Sequence, residues 1–253
     1  MSETGLLEVA VVTGGASGAC CCRELARRGA TVAVLDRDGA AAATIAHACG
    51  GRAWTANVAD ETGMKPGAAA IEAERGAVGI RVNCAGILQT PLPPERVPMA
   101  TCDGVVSLDQ RGTYVANVTL GQRKAERRRG STVSTASVVG MRAMLLHAYA
   151  AAKGAVIAIT ECLAAEWGPA QVRVNAVSPG YTRTPPLQAA IDKGERDVSA
   201  LAGNAALGRL VEPDEVARVV AFLAGPVASG SLASTCRSIA AGFWLHPGTP
   251  MDG

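Results

Sequence analysis

Apolar residues fall in short unbroken runs along this chain: "EVAVVT" (8–13), "TVAVLD" (31–36), "GIRVN" (79–83), "STVST" (131–135) and "QVRVNAV" (171–177). Runs of this length without strict polar alternation predict strands buried on both faces, as in a parallel sheet. Between them lie alanine-rich segments whose apolar residues recur at helical spacing, among them 23–28, 148–167 and 213–223. Strand and helix therefore alternate. That order predicts an α/β fold: a doubly wound parallel sheet with helices on each face, in three layers (α/β/α).

Three segments break the alternation. The Pro-rich "ILQTPLPPERVP" (87–98) cannot form helix and reads as a surface connection. The stretch "TRTPPLQAAIDKGERDVSALAGNAAL" (182–207) reads as irregular; it begins just past a strand end and carries glycines able to hinge a lid, expected around 185–205. The apolar "STCRSIAAGFW" (234–244) reads as a last edge strand.

Composition narrows the partners. With 253 residues, 49% of them apolar, and no repeat or low-complexity linker, residues 1–253 read as a single domain. A formal charge of +2 points to neither nucleic acid nor an anionic membrane surface. The opening "MSETGLLEV" lacks the basic and apolar segments of a secretory signal. No uncharged apolar stretch reaches the ~20 residues that span a bilayer, so a cytoplasmic protein is expected. Eight cysteines in a chain able to build its own core read as small core residues, not as disulfide staples. Cys20, Cys21 and Cys22 offer no C-x-x-C pair and no nearby histidine, so no metal is expected. The basic run "RKAERRR" (123–129) has no interleaved aromatic residues and reads as the solvated C-terminal end of a helix.

Chemistry gathers at the strand ends. The first strand runs into "TGGASGAC" (13–20), where Gly14, Gly15 and Gly18 would let a backbone approach a pyrophosphate at a helix N-terminus. Asp36 closes the second strand about 20 residues on, placed to accept hydrogen bonds from an adenosine ribose. Its carboxylate would repel a 2'-phosphate, favouring NAD over NADP, although Arg37 stands beside it. In "YAAAK", Tyr149 and Lys153 share one helical face. An ammonium there would stabilise a phenolate, a shift worth roughly 4 kcal/mol to bring a tyrosine from its usual range to neutrality. Ser137 leaves a strand in "TASVVG" twelve residues earlier, with a hydroxyl able to bind a carbonyl oxygen as charge develops.

Together these pieces resemble the short-chain dehydrogenase/reductase family in its single-domain, NAD(P)-dependent form. The likeness covers nearly the whole chain, through "TGGASGAC", "NCAG" (83–86), "TASVVG" (135–140), "YAAAK" (149–153), "RVNAVSPG" (173–180) and "GRLVEPDEVARVVAFLA" (208–224). It implies a Rossmann-type fold and a homo-oligomer, tetramer or dimer. It also implies hydride transfer between NAD(H) and a small secondary alcohol, polyol or corresponding ketone. "AAEW" (164–167) looks like the same stretch in some polyol members.

By position, the resemblance implies Tyr149 as acid/base, Lys153 as the group that favours its phenolate and holds the nicotinamide ribose, and Ser137 as the group orienting the substrate oxygen. It places Gly14, Ser17 and Gly18 at the pyrophosphate, Asp36 at the adenosine ribose, and Asn57 with Val58 at the adenine. Asn83, Ala85 and Gly86 would line the cofactor cleft, and Pro179, Gly180, Thr182 and Thr184 would surround the carboxamide.

The pattern also breaks. Cys20 stands where the family turn has a third glycine; a Cβ there should push the helix outward or reshape the phosphate cradle, and it reads first as a tolerated small packing residue, with weakened NAD binding or a reactive thiol the sharper alternative. Asp109 replaces a catalytic asparagine, with Asn117 the alternative; a carboxylate there should oppose phenolate formation and give an alkaline optimum for oxidation. Asn57 replaces an acid, Cys84 the second asparagine of N-N-A-G, and Ala240-Ala241-Gly242 the usual D-G-G. The serine-to-tyrosine gap is one residue short, which makes Ser134 and Thr135 weaker alternatives to Ser137. These departures leave a second expectation, a catalytically impaired homologue that binds NAD and acts through protein contacts.

Overall fold

The computed structural model describes residues 5–142 and 144–233, and the backbone of 235–239. Seven parallel strands form one sheet in the order β3-β2-β1-β4-β5-β6-β7. They are β1 Val9–Thr13, β2 Thr31–Asp36, β3 Arg52–Thr55, β4 Val78–Asn83, β5 Gly130–Thr135, β6 Val172–Pro179 and β7 Thr235–Ile239. The helices are α1 Ala19–Arg27, α2 Gly39–Ala48, α3 Glu61–Arg75, α4 Met99–Val105, α5 Thr113–Glu126, α6 His147–Trp167, α7 Pro185–Asp192, α8 Val198–Gly203 and α9 Pro213–Ala224.

The unbroken apolar strands divide their side chains between two cores. Ala10, Val12, Ile80 and Val82 pack with Cys20, Cys21, Cys22 and Leu25 of α1 and with Val216, Val220 and Ala221 of α9. Val9, Val11, Leu35 and Val78 pack on the other face with Met64 and Ile71 of α3 and Leu120 of α5. The strand order reverses beside β1, whose neighbours are β2 and β4. Such a reversal opens a crevice at the carboxyl ends of the strands, where α/β sheets bind ligands.

The five apolar runs become β1, β2, β4, β5 and β6. β3 escapes the apolar-run criterion because it is a four-residue edge strand with both ends exposed. The edge strand expected at 234–244 is present as β7; Ala240, Ala241, Gly242 and Trp244 lie outside the described residues. The segment 182–207 is not irregular throughout: it forms α7, begun by two prolines that preset helical φ, and α8, capped by Asp197, whose carboxylate accepts from Ser199 N at 2.8 Å. Neither helix has a buried residue. By length and composition α6 is apolar enough to cross a membrane, but it packs along β6 as a central helix. Trp167 at its end lies against Gly121 of α5, where a Cβ would collide with the indole, in keeping with a packing role.

The basic run is a correction. Lys124 is wholly buried, and Arg123 and Arg127 hold Glu72 at 2.7 and 3.0 Å, so only part of the run is the solvated helix end expected. The helix turns its lysine inward because Ser131 and Thr132 at the start of β5 offer it acceptors.

Candidate active site

The glycine turn sits at the reversal of strand order. Gly14 has φ +65°, a conformation open to glycine, and a Cβ there would strike the backbone of Ala85. A Cβ on Gly18 would lie 2.9 Å from Val12 Cγ1 and 3.0 Å from Cys84 Sγ. Glycine is thus what lets β1, α1 and the exit of β4 meet. α1 begins at Gly18 with no side-chain cap, so its first N–H groups remain available to an anion; Ser17 is exposed beside them. Asp36 reaches this turn from the end of β2: Ala16 N donates to its Oδ2 at 3.2 Å and Asp38 N to its Oδ1 at 3.0 Å. A glycine cradle with a fixed carboxylate at its flank fits a dinucleotide. Asn57 and Val58 follow β3; Asn57 Oδ1 accepts from Ala59 N at 3.0 Å, and Val58 is buried against Gly112.

Cys20 is the second residue of α1. It is buried in the core beneath the sheet and lines a cleft of about 250 Å³ between α1 and α9, with Arg23, Glu24, Arg27, Asp214 and Arg218. The helix accommodates its Cβ on the face turned to α9. A hydrogen bond with Cys21 lowers the Cys20 thiol to about 7 against the opposing effect of burial, and Arg23 assists.

Tyr149 and Lys153 lie in the first two turns of α6, with Lys153 Nζ 5.4 Å from the centre of the Tyr149 ring. Lys153 Nζ donates to Thr135 O at 3.0 Å and lies 3.2 Å from Asp109 Oδ2. Burial pulls this ammonium down, but Tyr149 and Asp109 together outweigh it and leave Lys153 above its ordinary range. Asp109 is wholly buried in a π-helical turn, Val106–Gly112, between α4 and α5; its Oδ1 accepts from Ile87 N at 2.8 Å. Such turns often mark functional positions because they re-aim a side chain out of helical register. Asn117 is not the group that meets Lys153: its Oδ1 is taken by Asn83 Nδ2 at 2.6 Å.

Ser137 opens the short 3₁₀ turn after β5, where its Oγ accepts from Val139 N at 3.4 Å. The alternatives are committed elsewhere: Ser134 Oγ accepts from Asn83 Nδ2 at 3.0 Å, and Thr135 Oγ1 donates to Cys84 Sγ at 3.7 Å. Asn83 departs from its expected place. Its side chain is buried between the sheet and α5, accepting from Arg81 Nε at 2.6 Å, so it ties the fold instead of lining the cleft; Ala85 and Gly86 border Gly14 and Asp109. Pro179 ends β6 and Gly180 follows it, Thr182 Oγ1 donates to Gly180 O at 3.1 Å, and Thr184 opens α7.

One residue of the site has no local sequence signal. Gln89, in the Pro-rich connection, is buried, and its Oε1 accepts from Ala148 N at 2.9 Å and Tyr149 N at 3.3 Å. α6 carries no side-chain cap of its own at Leu146, so a residue 59 positions away supplies it.

The family model described as enoyl-(acyl carrier protein) reductase matches residues 15–237. The chain is 34% identical over 230 residues to the D-threitol dehydrogenase of Mycolicibacterium smegmatis, covering 88% of this chain and 87% of that one. It is 37% identical over 227 residues to the galactitol 2-dehydrogenase (L-tagatose-forming) of Cereibacter sphaeroides, covering 87% and 89%. Among solved structures it resembles a ribose-5-phosphate isomerase from Brucella melitensis 16M, with TM-score 0.88, 41% identity and 92% of each chain covered. It also resembles a 3-ketoacyl-(acyl-carrier-protein) reductase from Brucella melitensis complexed with NADH, with TM-score 0.82, 30% identity and coverage of 90% and 95%. The chain belongs to the short-chain dehydrogenase/reductase family. It is an oxidoreductase acting on CH–OH groups with a nicotinamide cofactor.

Proposed function

We propose that this chain is an NAD-dependent polyol dehydrogenase that converts a secondary alcohol to its ketone. The observation that carries the reading is the Tyr149–Lys153 pair at the carboxyl edge of the sheet, with the ammonium beside the phenol ring and anchored on Thr135 O. Bound nicotinamide supplies the acceptor for the substrate's hydride. Tyr149 takes the hydroxyl proton as that bond breaks, and Lys153 stabilises the phenolate that must precede it. Ser137 orients the substrate oxygen. Gly14, Ser17 and Gly18 hold the pyrophosphate, and Ala85, Gly86, Pro179, Gly180, Thr182 and Thr184 frame the ring. The Asp36 carboxylate, fixed at the turn, favours a free 2'-hydroxyl and hence NAD. α7 and α8, with no buried residues, form the lid.

The relatives named for D-threitol and galactitol supply the first substrates to test. The expected result is steady NADH formation from one of these polyols, with kcat reduced by about a hundredfold or more in Tyr149→Phe. NAD binding without turnover across a polyol and hydroxyketone panel would leave the impaired homologue. Conversion of ribose 5-phosphate with no NAD reduction would place the chain with the isomerase instead.

A further inference from the structure

The buried lysine of the basic run belongs to a second polar cluster, on the α5 face of the sheet and apart from Tyr149. Arg81, near the middle of β4, is wholly buried; its sheet neighbours are Val11 and Thr132. Its Nε donates to Asn83 Oδ1 at 2.6 Å, but both Nη atoms are buried without a hydrogen-bond partner among the described residues. Asn117 Nδ2 and Thr13 Oγ1 share that condition. Asn83 links all three residues: it accepts from Arg81, donates to Asn117 Oδ1 at 2.6 Å, and pairs with Thr13 in the β1–β4 register. Four unmatched polar atoms therefore belong to residues that bond to or pair with one asparagine, and three of them are nitrogens that can only donate.

Charge is unmatched as well. Lys124 is also wholly buried and donates to Ser131 O at 2.8 Å and Thr132 Oγ1 at 2.9 Å, both neutral. Burial, with Arg81 beside it, pushes the Lys124 ammonium well below its ordinary range toward the neutral amine, and the carboxylates that oppose this, Glu8 and Glu72, are both engaged elsewhere. Glu72 binds Arg123 and Arg127, and Glu8 binds Arg129 at 2.5 Å. A buried guanidinium keeps its charge, because arginine does not give up its proton in proteins. An unpaired buried charge is among the most costly features a fold can contain, and native structures compensate it with a counter-ion or ligand.

We propose that Arg81, Asn117 and Thr13 bind a small monovalent inorganic anion, a halide such as chloride, which ties β4 and β1 to α5. A halide accepts hydrogen bonds from every side and supplies the missing negative charge. A single water accepts only two hydrogen bonds, so it could not answer all three nitrogens, and it would leave the guanidinium unneutralised. Complete burial beneath α5 excludes a substrate-sized anion. The site is independent of the dehydrogenase reading and survives its failure.

Two measurements test it. Crystals of the full chain soaked in sodium bromide should show a bromide anomalous peak among Arg81 Nη1, Nη2 and Asn117 Nδ2. Thermal unfolding at constant ionic strength, with gluconate exchanged for chloride, should show Tm rising by roughly 5 °C over about a hundredfold increase in chloride. In Arg81→Met that slope should vanish. Should Arg81→Met fail to fold, the bromide position in the unmodified chain decides. A bromide peak only elsewhere, a Tm indifferent to chloride, or a slope unchanged in Arg81→Met overturns the site.

Discussion

Asp109 shows how much one atom can redirect a site. Where an asparagine would present a neutral amide, this chain buries a carboxylate 3.2 Å from Lys153 Nζ. The pair keeps the ammonium firmly charged, which helps a phenolate, while the carboxylate's own field opposes one. The second effect should govern the rate, because Lys153 would remain cationic at neutral pH without Asp109, still beside Tyr149 and the Thr135 carbonyl. Asp109→Asn retains an oxygen for Ile87 N and removes only the charge. In Asp109→Asn, kcat/KM for alcohol oxidation at neutral pH should then rise several-fold. A rate equal to the parent's, or a slower one, would show that the carboxylate does not oppose the phenolate of Tyr149. The substitution was legible in the sequence; the direct ion pair was not, since it depends on the π-helical turn Val106–Gly112 aiming residue 109 at α6.

At the scale of elements, legibility followed the range of the forces. Strands buried on both faces declare themselves as apolar runs, and Tyr149 and Lys153 declare themselves by helical spacing. β3 does not, being short and half exposed, and the start of α6 does not, because its cap is Gln89 from another segment. Asn83 was read as a cleft residue from its place in "NCAG", whereas its side chain answers Arg81 and Asn117, partners no local pattern reveals. The Gln89 cap has a measurable consequence. Gln89→Leu removes the acceptor for Ala148 N and Tyr149 N, leaving two helix N–H groups unmatched in the interior. Stability should fall by about 1 to 2 kcal/mol in urea unfolding. kcat should fall several-fold more than KM changes, since the first turn of α6 carries the tyrosine. A loss of stability with kcat untouched would reduce Gln89 to a cap with no bearing on the position of Tyr149.

For the molecule as a whole, apolar packing holds both helical layers to the sheet, and buried-edge carboxylates add to it in two ways, Glu24 by closing the C-terminal turn of α1 and Glu72 by joining α3 to β4 and α5. Glu24 of α1 accepts from Arg27 Nε at 2.8 Å and Arg28 Nε at 2.7 Å. Arg27, then burial in the opposing sense, then Arg28 set its carboxyl, and the net result is a fall from 4.5 to about 2. On the other face burial works against Glu72, but Val78 N, Arg123 and Arg127 still hold it below its ordinary range. Both groups have a lower pKa folded than unfolded, so protons bind the unfolded chain more readily. Their contribution is complete above the unfolded value of about 4.5 and drains away as pH falls toward 2. Glu24→Gln should therefore lower the urea midpoint at pH 7 and flatten its decline in acid, so that variant and parent converge near pH 2. Parallel curves, separated equally at pH 7 and pH 3, would mean that Glu24 contributes through packing of its stem and not through its charge.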